Sequence, residues 1–125
     1  MSRYRGTSTY DQVHAELVRA AQYEGLTTYP DIAAIMDIPT DGGYEMQDKI
    51  GAILHEICED EVAAGRPMLS AVAVKTTKRP GPGFFTQALE LDRFRCKTRN
   101  RKTENRFWAK ERRAVYKEWK RPLPS

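Results

Sequence analysis

Apolar positions along most of this chain recur at helical spacing. Val13, Leu17, Ala20 and Ala21, with Glu24 completing the row, predict a helix over residues 10–24, capped by Ser8 or Thr9 and ended by Gly25. Residues 1–8 read as a short flexible lead. Leu26-Thr27-Thr28-Tyr29-Pro30 is a connection, and Pro30 suits the first turn of a second, short helix ending near Met36. Ile32, Ala33, Ile35 and Met36 form its apolar face, and Asp31 complements its dipole. After a turn at Thr40-Asp41-Gly42-Gly43, a long helix is expected over residues 44–64. Its apolar stripe is Met46, Ile50, Ile53, Leu54, Ile57, Cys58 and Val62, with Glu56, Glu59, Asp60 and Glu61 on its other side.

The period then changes. Residues 69–75, Leu-Ser-Ala-Val-Ala-Val-Lys, are short, β-branched and bounded by turn residues, as a strand is. Residues 76–83 form a loop of Thr, Lys, Pro and Gly. Phe84-Phe85-Thr86 reads as a returning strand, and residues 86–92 read equally as a helical turn. Residues 93–103 alternate, with Arg93, Arg95, Lys97, Arg99 and Arg101 at every second position. As a strand they would share one face; as an arm they would be simply polybasic. A last helix is expected over 104–121, docking through Phe107 or Trp108, Ala114, Val115 and Trp119 and ended by Pro122 and Pro124. Phe107 and Trp108 are adjacent, so one of them must be partly exposed.

Two helices joined by a turn and followed by a small β-hairpin describe a winged helix-turn-helix. The expected fold class is thus α+β, mainly α, with an added C-terminal helix. It forms one domain: a core over 7–92, a basic linker or strand over 93–103, and the final helix.

Charge sharpens this picture. The 125 residues carry 21 Lys and Arg against 17 Asp and Glu, a net charge of +4. Residues 1–64 hold four basic and twelve acidic side chains, whereas residues 65–125 hold seventeen and five. So polarised a chain points to an anionic partner such as nucleic acid, or to pairing with itself. No apolar run approaches the ~20 residues of a membrane helix. The opening residues lack the apolar stretch of a signal peptide, and two cysteines make no disulfide framework, so a reduced cytoplasmic location is expected.

Several short motifs lie in the order seen in a known family. Thr27-Thr28-Tyr29, Ile32-Ala33, Ile50-Gly51, Ile53-Leu54, Pro67, Val72-Ala73-Val74 and Pro80-Gly81-Pro82-Gly83-Phe84 resemble the C-terminal domain of DNA alkylguanine alkyltransferases and alkyltransferase-like proteins. The resemblance covers residues 26–85. It implies a helix-turn-helix that meets duplex DNA and turns a nucleotide out of the stack, with Tyr29 near the backbone of that nucleotide. The family's reactive Pro-Cys-His-Arg falls on Pro67-Met68-Leu69-Ser70, and its inserted arginine falls on Asp48. The resemblance therefore carries the fold and not alkyl transfer.

The residues expected to meet nucleic acid are Tyr29, Gln47 and Lys49 near base edges or backbone, Lys75, Lys78 and Arg79 at the wing, and Arg93, Arg95, Lys97, Arg99 and Arg101 along the linker. Lys102 extends the linker, and Arg106, Lys110, Arg112 and Arg113 continue it on the last helix; Phe94, if exposed, would stack on bases. Glu45 and Asp48, and the acidic cluster beyond, argue against conventional readout by the long helix. His55 and Cys58 stand at i, i+3 but are too few for a structural metal site. Cys58 reads as a small core residue, and Ser70 has no His–Asp pairing to activate it. The expectation is a non-catalytic nucleic-acid-binding protein without cofactor or metal. Its alternatives are an interaction module, or a homo-oligomer built from complementary charge, and an enzyme of unrecognised type, which would need a concave pocket gathering His55, Glu59 or Ser70.

Overall fold

The computed structural model describes residues 2–120. Five helices and one two-stranded sheet follow in the order α1 (Ser8–Gln22), β1 (Thr27–Thr28), α2 (Tyr29–Met36), α3 (Tyr44–Ala63), a 3-10 turn (Leu69–Val72), β2 (Ala73–Val74), α4 (Pro82–Glu90) and α5 (Arg101–Trp119). The fold is α+β and mainly α. Among the described residues no helix is long and apolar enough to cross a membrane.

The helix boundaries follow local chemistry. Thr7 caps α1 through its side-chain oxygen, which accepts from the Tyr10 N–H. Thr28 does the same for α2, accepting from Asp31, and Pro30 sits in the first turn. Asp37 ends α2 in the left-handed region at φ 57°. Asn100 and Thr103 form a reciprocal capping box, so α5 begins one turn's fraction earlier than expected. Position 121 and the two following prolines lie outside the described residues.

The 3-10 turn sits at the centre, touched by α1, α3 and α5. Leu69, Ala71 and Val72 are fully buried there, packed with Val13, Leu17, Ile53, Ile57 and Val115. This corrects the expected strand over 69–75. Only Ala73 and Val74 are extended, and they pair in parallel with Thr27 and Thr28. No β-hairpin forms among the described residues, because the segment expected to return, Phe84–Thr86, lies inside α4. Pro82 opens that helix, and Phe84 and Phe85 face the core.

The basic segment is not a strand either. Asp92 at φ 59° turns the chain, and the N–H groups of Arg93 and Phe94 both donate to the Ala88 carbonyl. Phe94 is buried and stacks on Phe107 at 4.9 Å between ring centroids. It is therefore no platform for bases. Its side chain closes a cluster with Phe84, Phe85 and Phe107 that locks α4 to α5. Aromatic pairs in this range contribute about 0.5–1.5 kcal/mol beyond their burial. Phe107 is buried and Trp108 half-buried, its indole N–H donating to the Ala71 carbonyl at 2.8 Å.

The opening residues are also anchored rather than loose. The backbone N–H groups of Arg3, Tyr4 and Arg5 converge on the buried Glu56 carboxylate, at 3.0 to 3.1 Å. The Arg5 guanidinium pairs with Glu59 and Asp60, and the Tyr10 hydroxyl donates to Asp60. Glu56, Glu59 and Asp60 on the acidic side of α3 are thus engaged by the N-terminal segment and the start of α1. Farther along α3, Glu61 is buried between His14 and Arg66.

Candidate nucleic-acid interface

A cleft of about 620 Å³ opens between the first half of α3, the start of α2 and the segment running from Lys75 to the first turn of α4. Its apolar wall includes Met46, Ile50, Leu54 and Phe84, all buried. Tyr29, Gln47, His55, Ser70 and Gln87 supply polar atoms, and Lys75 stands at the rim. A mostly apolar concavity of about 300–1,000 Å³ with a few converging polar groups is the usual form of a ligand site.

Each polar group is held from a different element. Tyr29 opens α2, and its hydroxyl accepts from the Gly81 N–H at 2.8 Å. Burial pushes its ionisation upward, against the opposing pull of that N–H, so the hydroxyl keeps its proton. Among the described residues no acceptor takes that proton, which remains free to be donated into the cleft. Gln47 donates to the Gly42 carbonyl at 2.7 Å, and Gln87 donates to the His55 carbonyl at 2.7 Å, fixing both amides. The Cys58 thiol donates to the Ser70 oxygen at 3.0 Å. Burial pushes that thiol up to about 11, so Cys58 is an inert core residue.

These contacts also bear on catalysis. Among the described residues the His55 ring is paired only with Glu59, at 3.7 Å, and Ser70 is engaged with Cys58. No nucleophile–base pair is assembled between them.

Tyr29, Gln47 and Lys75 come together on the cleft. Lys78 is exposed on the adjoining turn, which is closed by hydrogen bonds from the Lys75 N–H to the Arg79 carbonyl and from the Lys78 N–H to the Lys75 carbonyl. Arg79 turns away to Asn105 and Glu104 on α5. Lys49 is spent on Glu45 within α3.

The linker cations divide. Arg93 donates twice to the buried carboxylate of Glu111, at 2.7 and 3.0 Å, and Glu111 also accepts from the Met68 N–H. Arg95 pairs with Asp92, and Arg99 with Glu104. Lys97 and Arg101 are exposed and, among the described residues, make no ion pair. The alternation therefore does not make a common basic face: three of its five members are paired with carboxylates, and one of them, Arg93, with a buried one.

Sequence reasoning missed Met46, His55, Phe84 and Gln87 as walls of one cleft. The signal present was Gly81-Pro82-Gly83. A Cβ at Gly81 would stand 3.2 Å from the Tyr29 hydroxyl oxygen, so the missing side chain is what lets Tyr29 approach the loop. No protein-family model, curated protein or solved structure matches this chain.

Proposed function

We propose that this protein is a small non-catalytic module that binds nucleic acid. In this reading α2 and α3 act as a helix-turn-helix unit, with the tight turn at 75–79 standing where a wing hairpin would. The carrying observation is the cleft bordered by Lys75 and, on the same turn, Lys78. Both are exposed, and neither is held by a carboxylate among the described residues. Phosphate meets these two cations, while the apolar wall and the Tyr29 hydroxyl receive a base or sugar edge. The resemblance to alkyltransferase-like proteins likewise implies that Tyr29 lies against the nucleic acid, near its backbone. A reduced cytoplasmic setting suits two free thiols, one of them buried.

Self-association through opposite charge has less support. Glu56, Glu59, Asp60 and Glu61, its natural acidic surface, are already engaged by Arg3, Arg5, Tyr10, His14 and Arg66.

The test is a fluorescence anisotropy titration of duplex and single-stranded DNA at low and high salt. Micromolar binding that weakens as salt rises, and weakens further in K75Q/K78Q, supports the reading. Absence of binding at low salt defeats it.

A further inference from the structure

A second array of cations lies on α5. Lys102, Arg106, Lys110, Arg113 and Lys117 are spaced by four, four, three and four residues. At about 100° per residue they fall within roughly 80° of arc, in a row roughly 20 Å long. All five are exposed, and none is paired with a carboxylate among the described residues. The opposite side of the helix is fixed to the core: Phe107, Glu111 and Val115 are buried, and the Tyr116 hydroxyl donates to the Gly25 carbonyl at 2.8 Å. The row is a rigid edge, not a floppy tail.

Folding gives no reason for this arrangement. Cations are favoured in the last turn of a helix, where Lys117 stands. Lys102 and Arg106 sit in the first turns, where the dipole opposes them. Neighbours four apart, Lys102–Arg106, Arg106–Lys110 and Arg113–Lys117, repel one another along the surface. The row is therefore held against local preference, and a polyanion laid along it would relieve every one of these repulsions.

We infer that the outer face of α5 is a second nucleic-acid contact, tracking the phosphates of one strand. This rests on the reading of the protein as a nucleic-acid binder and adds a surface the cleft does not include. The chemistry favours a phosphodiester chain over other anionic partners. A helix lying on a membrane needs an apolar face to insert, and that of α5 is spent on the core. An acidic protein partner would need an apolar anchor site, and the exposed large apolar side chains, Tyr23, Leu26, Tyr44 and Leu89, all lie off α5. Arg79 ties the cleft-side turn to the first turns of α5 through Asn105 at 2.7 Å, so the two cation sets keep a fixed relation.

The experiment compares the intact protein with R106Q/K110Q/R113Q and, separately, K102Q/K117Q. Circular dichroism melting establishes that each folds. The affinity for a fluorescein-labelled duplex is followed over a range of salt. The triple variant is expected to lose about tenfold or more in affinity at moderate salt, and its log–log salt slope to fall by about 2–3; the double variant loses one to two in slope, about 0.9 per phosphate released. If the unaltered protein binds but both folded variants keep its affinity and slope, the inference about α5 is overturned while nucleic-acid binding stands. If the unaltered protein binds no nucleic acid even at low salt, the underlying reading fails. Binding to phosphatidylserine vesicles without binding to nucleic acid likewise overturns the proposal.

Discussion

The Tyr29 hydroxyl accepts a hydrogen bond from the Gly81 backbone N–H at 2.8 Å, joining residues 52 apart in the chain. That bond sets the mouth of the cleft, because it holds the start of α2 against the loop leading into α4. Removing the hydroxyl leaves the buried Gly81 N–H without a partner. Y29F is expected to destabilise the fold by about 1–2 kcal/mol. It also removes the proton offered to a ligand, so affinity for DNA falls by more than the stability loss explains. Urea unfolding and anisotropy measured on the same preparation separate the two effects.

Arg93 tests the division between cations that build the fold and cations that meet a partner. It forms a two-pronged pair with Glu111, whose carboxylate also holds the Met68 N–H. Glu111 is only 5% exposed, whereas Arg93 is 34% exposed, so the pair is screened on one side. R93A is expected to cost about 1–3 kcal/mol by leaving that carboxylate unpaired. R93K recovers part of this, since an ammonium does not reproduce the fork. Neither change should flatten the salt slope of DNA binding. A slope reduced by a full phosphate contact in folded R93A would return Arg93 to the interface.

Lys78 occupies the left-handed region at φ 68°, a conformation that costs a side-chain-bearing residue about 1–2 kcal/mol. Glycine relieves this strain but loses about 0.5–1 kcal/mol in chain entropy. K78G is therefore expected to be stabilised by up to about 1 kcal/mol while binding DNA more weakly. Thermal unfolding with paired titrations checks both signs. A gain in stability with unchanged binding would remove Lys78 from the interface.

Glu56 predicts a response to acid. Burial works against its charge, but hydrogen bonds from the N–H groups of Tyr4, Arg3 and Arg5, with the charge of Arg5, outweigh this. They hold its carboxyl below the ordinary value of 4.5. A carboxyl lowered in the folded state contributes stability that is fully present above 4.5 and is lost as pH falls through the lowered value. The amides of residues 3–5 should therefore lose hydrogen-exchange protection as the pH falls below the ordinary glutamate range and through that lowered value. In E56A, which removes both acceptor oxygens, they should lack protection even at neutral pH, with a stability cost of about 1–3 kcal/mol. Retained protection in E56A would show that something else anchors the lead.

The helices were largely legible because their signals are local. The stripes of α1 and α3, Pro30 at the head of α2 and the acid at its first turn all act within a few residues. What was illegible depends on distant partners. Leu69–Val72 has strand-like composition, yet it is fully surrounded by α1, α3 and α5, and burial on every side suits a 3-10 turn equally well. The alternating cations have strand periodicity, but among the described residues no neighbouring strand pairs with them, and Glu111 and Phe107 draw Arg93 and Phe94 inward instead. The opening residues carry no apolar pattern, because backbone amides and not side chains fasten them to Glu56. Of the cleft, Tyr29, Gln47 and Lys75 could be named in advance. Their meeting with His55 and Gln87 required the tertiary fold.

The central claim is that nucleic acid meets two particular surfaces, and amide mapping by two-dimensional NMR reads this most directly. The isotope-labelled protein is titrated with duplex DNA at low salt. The account predicts shifts concentrated at Tyr29, Gln47, Lys75, Lys78 and along residues 102–117, with the amides of α1 unmoved. A spectrum unchanged at saturating DNA, or shifts confined to α1, would contradict it.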